Sequence, residues 1–253
     1  MSSEFTRDYA ARGYAIARGA FTAAEAGAWR QECNRLVADP AIMSREAHRT
    51  VTRESLGGGK VVDRLDPVID VSPVLAALVR DPRLLGMAAE LLGEEAVLLK
   101  DKLIFKGPGV HGYTVHQDYT AWQEMPVPAS SVLSLMVAID RADAENGGVE
   151  FFPGLHHEHY AGPGLPEDLF APESGTVPEA VLAGTEPEVA RADPGDIVAI
   201  HSLAPHRSAP NRTTERRAAL FLTYSAKRHG DLYDDYYAKF RGYRQASIAA
   251  RSL

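Results

Sequence analysis

The chain has 253 residues, 45% hydrophobic and 24% charged, an ordinary globular balance that can build a sizeable core. Its net charge of −7 argues against a nucleic-acid-binding surface, which needs a basic face. The single cysteine, Cys33, excludes a disulfide framework and a cysteine-rich zinc cluster. The opening "MSSEFTRDYAARGYAIARG" has no apolar core of signal-peptide length, and no apolar run approaches the roughly 18 residues that span a bilayer. The expectation is a cytoplasmic protein with neither membrane nor nucleic-acid partners, its oligomeric state left open.

In chain order, residues 1–95 read as a mostly helical buttress. Thr22 and Glu25 form a capping box, after which Trp29, Cys33 and Leu36 recur at helical spacing. "SLGGGKVVDR", residues 55–64, lacks the spacing of a phosphate-binding loop and reads as flexible chain. Ser72-Pro73 and Asp81-Pro82 each set a capping residue before a proline suited to the first helical position, so two short helices are expected up to Gly93. From residue 96 the pattern turns to strands: "AVLLKDKLIFK", "SVLSLMVAID", "GVEFF", "DIVAIH" and "AALFLTYS" are β-branched or aromatic runs bounded by Gly, Pro, Asn or Asp. Residues 161–188 are a long Pro-, Gly- and acid-rich excursion, expected to act as a mobile flap. Residues 226–253 complete the chain as a helical segment. The whole is read as one domain, mainly β with flanking helices, its β core spanning 96–225.

His116 and Asp118 in "YTVHQDYTAW" stand two apart, so on a strand they face one side. Two histidines and a carboxylate on one face of an iron define the non-haem Fe(II) oxygenase arrangement, although an H-x-D pair alone is weak evidence and better suits a hydrogen-bonded strand end. Downstream, "GDIVAIHSLAPHRSAPNRTTERRAALFLTY" carries His206, Ser208 and Asn211 as H-x-S-x-x-N, with Arg217 eleven residues after the histidine. This combination, with "DAENGGVEFFPGLH" between its halves, resembles the phytanoyl-CoA dioxygenase family, and "LIFKGPG…HQDYTAW" is similar in layout to its ectoine hydroxylase branch.

The resemblance implies a double-stranded β-helix (jelly-roll, cupin-like) core. It also implies His116, Asp118 and His206 as ligands of Fe(II), with 2-oxoglutarate and dioxygen at the remaining positions. Arg217 stands at the family's position for the distal carboxylate of the cosubstrate, which a guanidinium can grip with two parallel hydrogen bonds. Arg216 should point the other way, and Ser208 can add a hydroxyl. Lys102 is a further candidate for cosubstrate contact. Trp122, Tyr119 and Tyr113 are candidates for a substrate wall, with core packing as the alternative, and Lys60 and Arg64 could line the barrel mouth.

Of the other histidines, His156 is expected to be structural and His157 and His159 to lie on the surface, while His201 competes with His206 for the third ligand position. His111 and His229 stay undecided. The expected activity is hydroxylation of a small molecule with release of succinate and carbon dioxide, and Asp118 argues against halogenation, which needs the carboxylate's place for chloride. A non-catalytic ligand-binding barrel of the same shape is the rival, and a zinc hydrolase would have no use for a buried arginine.

Overall fold

The structure, a computed structural model, describes residues 3–43, 50–160 and 176–250. Helix α1 (Ser3–Arg12) leads into strand β1 (Tyr14–Ala17), then α2 (Ala23–Ala38) and the short α3 (Pro40–Met43). A hairpin, β2 (Thr50–Glu54) and β3 (Lys60–Leu65), precedes α4 (Pro73–Val79) and α5 (Pro82–Leu92). The strands β4 (Ala96–Lys106), β5 (Tyr113–His116), β6 (Val132–Ala138) and β7 (Val149–Phe151) follow. After α6 (Glu179–Leu182) come β8 (Glu188–Val189), β9 (Ile197–His201), β10 (His206–Ser208), β11 (Arg217–Ala226) and α7 (Tyr233–Ala250).

Local chemistry explains the helix starts. Thr22 and Glu25 exchange the two bonds of a capping box at α2. Ser72 and Asp81 cap α4 and α5 with a proline behind each, and Gly93 closes α5 in the left-handed conformation that its φ of 75° requires. Three strands, β1 to β3, lie in the stretch read as helical. Likewise, "SLGGGK" is a tight turn rather than flexible chain: Ser55 N–H donates to Gly59 O at 3.0 Å, and Leu56 N–H donates to Gly109 O at 2.7 Å.

All ladders are antiparallel and form two sheets, one in the order β1-β9-β6-β11-β4-β3-β2 and one in the order β5-β10-β7-β8. Met136, Ile200 and Phe221 of the large sheet pack with Val149 and Phe151 of the small one, and Tyr14 stacks on Phe151 at 4.3 Å. The two sheets thus face each other as the double-stranded β-helix. The outer face of the large sheet carries the helices: Leu103, Leu135, Leu220 and Leu222 bury against Trp29, Cys33, Leu75 and Leu84. With both faces covered, β6 and β11 are buried along their whole length rather than alternating with exposed positions. Among the described residues no helix is long and apolar enough to cross a membrane.

Candidate metal centre

The site lies between the sheets. β10 pairs with β5 so that His206 and His116 stand opposite one another, their ring centroids 4.3 Å apart. Asp118 is not on the strand; β5 ends at His116, and Asp118 opens a 3-10 turn over Asp118–Ala121. The intervening Gln117 points away and is buried, its amide donating to Glu158 O and Leu203 O and accepting from Tyr160 N–H, each at 2.7 Å. Gln117 thereby pins the turn that brings the carboxylate back toward the histidines. One potential ligand atom from each of His116, Asp118 and His206 lies within 4.8 Å of the other two, the one such group of three found among the described residues.

Both imidazoles are oriented from behind. Nδ1 of His116 is 2.8 Å from Thr114 O, and Nδ1 of His206 is 2.9 Å from Ala204 O. A carbonyl only accepts, so each Nδ1 carries a proton, and each Nε2 is the nitrogen left to take a metal. Burial first, then the neighbouring His206, lowers His116 to about 4, which keeps it neutral near pH 7. Burial alone would raise Asp118, but neighbouring positive charge, that of Lys102 first, outweighs it and holds the carboxyl at about 2.

Arg217 opens β11 facing inward, since Ala218, Leu220 and Leu222 face the helices while Ala219 and Phe221 face the small sheet. It is 2% exposed, and its Nε and Nη1 have no hydrogen-bond partner among the described residues. Burial pulls its pKa below the ordinary arginine range. Arg216 points to the opposite face, with Nε 3.9 Å from the carboxylate of Asp140, which is buried rather than the solvent or surface acid expected. Asn211 shapes the turn between them: buried, it donates to Lys106 O and Glu215 O and accepts from Thr213.

Sequence reasoning missed Lys106. Fully buried at the end of β4, opposite Arg217, it donates to Ser208 Oγ at 2.7 Å, to Gly147 O at 3.2 Å and to Ala209 O. Gly147 has φ +73°, and a Cβ there would lie 2.7 Å from the Lys106 ammonium, so only glycine leaves it room. Burial first, then the charge of Arg217, lowers Lys106 to about 7. Strand parity with Lys102 was the available signal.

The remaining candidates divide. Tyr113, on β5, donates to Asp63 at 2.7 Å beneath the Arg53 guanidinium, and Arg64 lies partly buried beside it. Lys102 is partly buried, with Nζ 5.0 Å from the centre of the Phe221 ring, and burial lowers its pKa. Trp122 packs among Leu99, Met125, Tyr236 and Phe240, so it belongs to the core under α7 rather than to an open wall. Tyr119 donates to Val127 O at that cluster's edge. Lys60 is exposed at the hairpin tip. His156 is structural, its ring against Gly13 and its Nε2 on Ala10 O, and His201 packs on it and on Tyr9, away from the triad. Of the expected flap, 161–175 lies outside the described residues; Thr176 and Val177 pair with His116 and Val115 along β5.

Residues 9–219 match the family model described as phytanoyl-CoA dioxygenase. A methylphosphonate hydroxylase from Gimesia maris is 36% identical over 154 residues, covering 61% of this chain and 55% of that protein. A 2-aminoethylphosphonate dioxygenase from an uncultured bacterium is 30% identical over 180 residues, covering 71% and 65%. These matches span less than two thirds of either relative's length. Among solved structures, EctD from Sphingopyxis alaskensis with 2-oxoglutarate and 5-hydroxyectoine superposes with a TM-score of 0.75 at 24% identity, over 90% of this chain and 77% of that one.

Proposed function

Since the chain belongs to the phytanoyl-CoA dioxygenase family, we propose that it is a non-haem Fe(II)- and 2-oxoglutarate-dependent oxygenase that hydroxylates a small organic molecule, within a single domain. One observation carries this reading. A donor set ready for a metal faces the same space as a buried guanidinium with two unanswered N–H groups. An isolated buried charge costs several kcal/mol, so Arg217 calls for an anion that the described residues do not supply within hydrogen-bond reach.

Fe(II) would fit the donors, since two imidazole nitrogens and one carboxylate are the ligand set of non-haem iron sites. When bound, the metal would supply oxygen activation, coupled to decarboxylation of 2-oxoglutarate to succinate and carbon dioxide. The protein's part is positioning and electrostatics. His116, Asp118 and His206 would hold the metal, and the Thr114 and Ala204 carbonyls fix the orientation of the two rings. Arg217 grips the distal carboxylate of the cosubstrate with its free Nε and Nη1. Ser208 Oγ already accepts from Lys106 Nζ and Tyr113 N–H, so its own proton is left to donate to that carboxylate. Relatives named for methylphosphonate and 2-aminoethylphosphonate support a small-molecule substrate.

The test is a substrate panel with Fe(II) and 2-oxoglutarate, following succinate. One compound should raise succinate formation and gain one oxygen per succinate released. Succinate at background for every compound, and no slow Fe(II)-dependent release without substrate, would contradict the reading.

A further inference from the structure

One inward-facing cation is left without a task. Lys102 Nζ has no hydrogen-bond or ion-pair partner among the described residues, only the Phe221 ring beside it. The strand register places it. Lys106 pairs with Arg217 and reaches Ser208, two residues past His206. Lys102 pairs with Phe221, four residues back and roughly 13 Å along the strand at the usual rise per residue. There its charge acts on Asp118 and His116. The triad therefore separates two cationic ends, Arg217 on one side and Lys102 on the other. A cosubstrate stretched from the metal to Arg217 lies away from Lys102.

Charge balance points the same way. The two charges of Fe(II) match the two of 2-oxoglutarate, and Asp118 matches Arg217; Lys106 at that end is held by Ser208 and two carbonyls, which leaves Lys102 at the other end with no anion to meet it. Behind it, Arg53, Arg64 and Lys100 meet two carboxylates: Arg53 lies 3.2 Å from Asp63, while Arg64 and Lys100 lie 3.7 Å and 3.2 Å from Asp66. That set carries one more cation than acid. Even the loaded site stays positive, with Phe221 as an apolar wall beside the free ammonium.

Resting on the oxygenase reading, we infer that the primary substrate carries a small oxyanion, such as an organic phosphonate, and that Lys102 receives it on the side of the triad away from Arg217. The hydrocarbon part then lies against Phe221, toward the metal.

The experiment is anaerobic calorimetry on Fe(II)-loaded protein, first with 2-oxoglutarate and then, at saturation, with methylphosphonate, inorganic phosphate, ectoine and neutral dimethyl methylphosphonate. Methylphosphonate should bind at least about tenfold more tightly than the neutral diester, the scale of one charge-assisted contact. Lys102→Met should remove that preference while leaving 2-oxoglutarate affinity unchanged, which also shows that the variant is folded, and Lys102→Arg should restore part of it. Tighter binding of ectoine or phosphate than of methylphosphonate would keep the anion subsite and reassign its headgroup. Equal binding of the diester, no binding of any anion, or loss of 2-oxoglutarate rather than methylphosphonate in Lys102→Met would overturn the inference. Failure of wild-type protein to bind 2-oxoglutarate would instead defeat the oxygenase reading beneath it.

Discussion

Alternate residues of the same strands make the two faces of the seven-stranded sheet, and the faces do opposite work. On the outer face Leu103, Phe105, Leu220 and Leu222 meet the helices, and the one acid of that row on β4, Asp101, accepts from Val68 N–H, Ile69 N–H and the Tyr233 hydroxyl. On the inner face Lys102, Lys106 and Arg217 stand among Ile104, Ala219 and Phe221, and two donors of Arg217 have no partner. Outer-face burial stabilises the fold at about 25 cal/mol per Å² of apolar surface. The inner face costs stability until anions arrive. Residues one apart on one strand should therefore separate cleanly into those that hold the fold and those that hold ligands.

The largest expected effect is at the metal. Asp118→Ala should abolish turnover and weaken Fe(II) binding, whereas His201→Ala, packed on Tyr9 and His156, should leave both nearly intact. Turnover assays and metal titration would check this, and a complete loss in His201→Ala would move the third ligand away from His206. Next comes the cosubstrate. Arg217→Ala should weaken 2-oxoglutarate by about 2–5 kcal/mol, the cost of breaking a buried charged contact, while Arg216→Ala should change it little. Volume-matched Arg217→Met should raise the melting temperature of the ligand-free protein, because it removes a buried charge with no partner among the described residues.

On the outer face Leu222→Ala should cost about 2–5 kcal/mol of stability in denaturant melts without altering the affinity of the refolded enzyme for 2-oxoglutarate. A large change in affinity there would break the division between faces. The smallest effect is a proton. Burial and Arg217 together hold Lys106 at about 7, so part of it is neutral above that pH. A carboxylate seated on Arg217 cancels the repulsion and raises Lys106, so binding should take up a fraction of a proton at pH 7.5–8 and progressively less below pH 7. Calorimetry in buffers of different ionisation enthalpy measures it directly.

The inner face was legible in part. His116, Asp118, His206 and Arg217 follow from spacing and family resemblance, and β4 from its alternating run. Asp118 was found for an incomplete reason: it reaches the histidines through a turn held by Gln117, not by strand alternation. Strand β1 was hidden because four residues beside a helix show no period, and β2 and β3 because half-buried polar strands give weak signals. The placement of Trp122 depends on α7, more than 100 residues later in the chain, and no local pattern encodes that contact. Lys106 needed the pairing of β4 with β11, a tertiary fact, before its charge could be seen beside Arg217.

The central claim is that the triad and Arg217 form one metal-dependent cosubstrate site, and anaerobic titration with 2-oxoglutarate tests it most directly. Wild-type protein should bind one equivalent with Fe(II) and far less without it, and both Asp118→Ala and Arg217→Ala should lose that metal-dependent binding. Equal affinity with and without Fe(II), or undiminished affinity in either variant, would contradict the account.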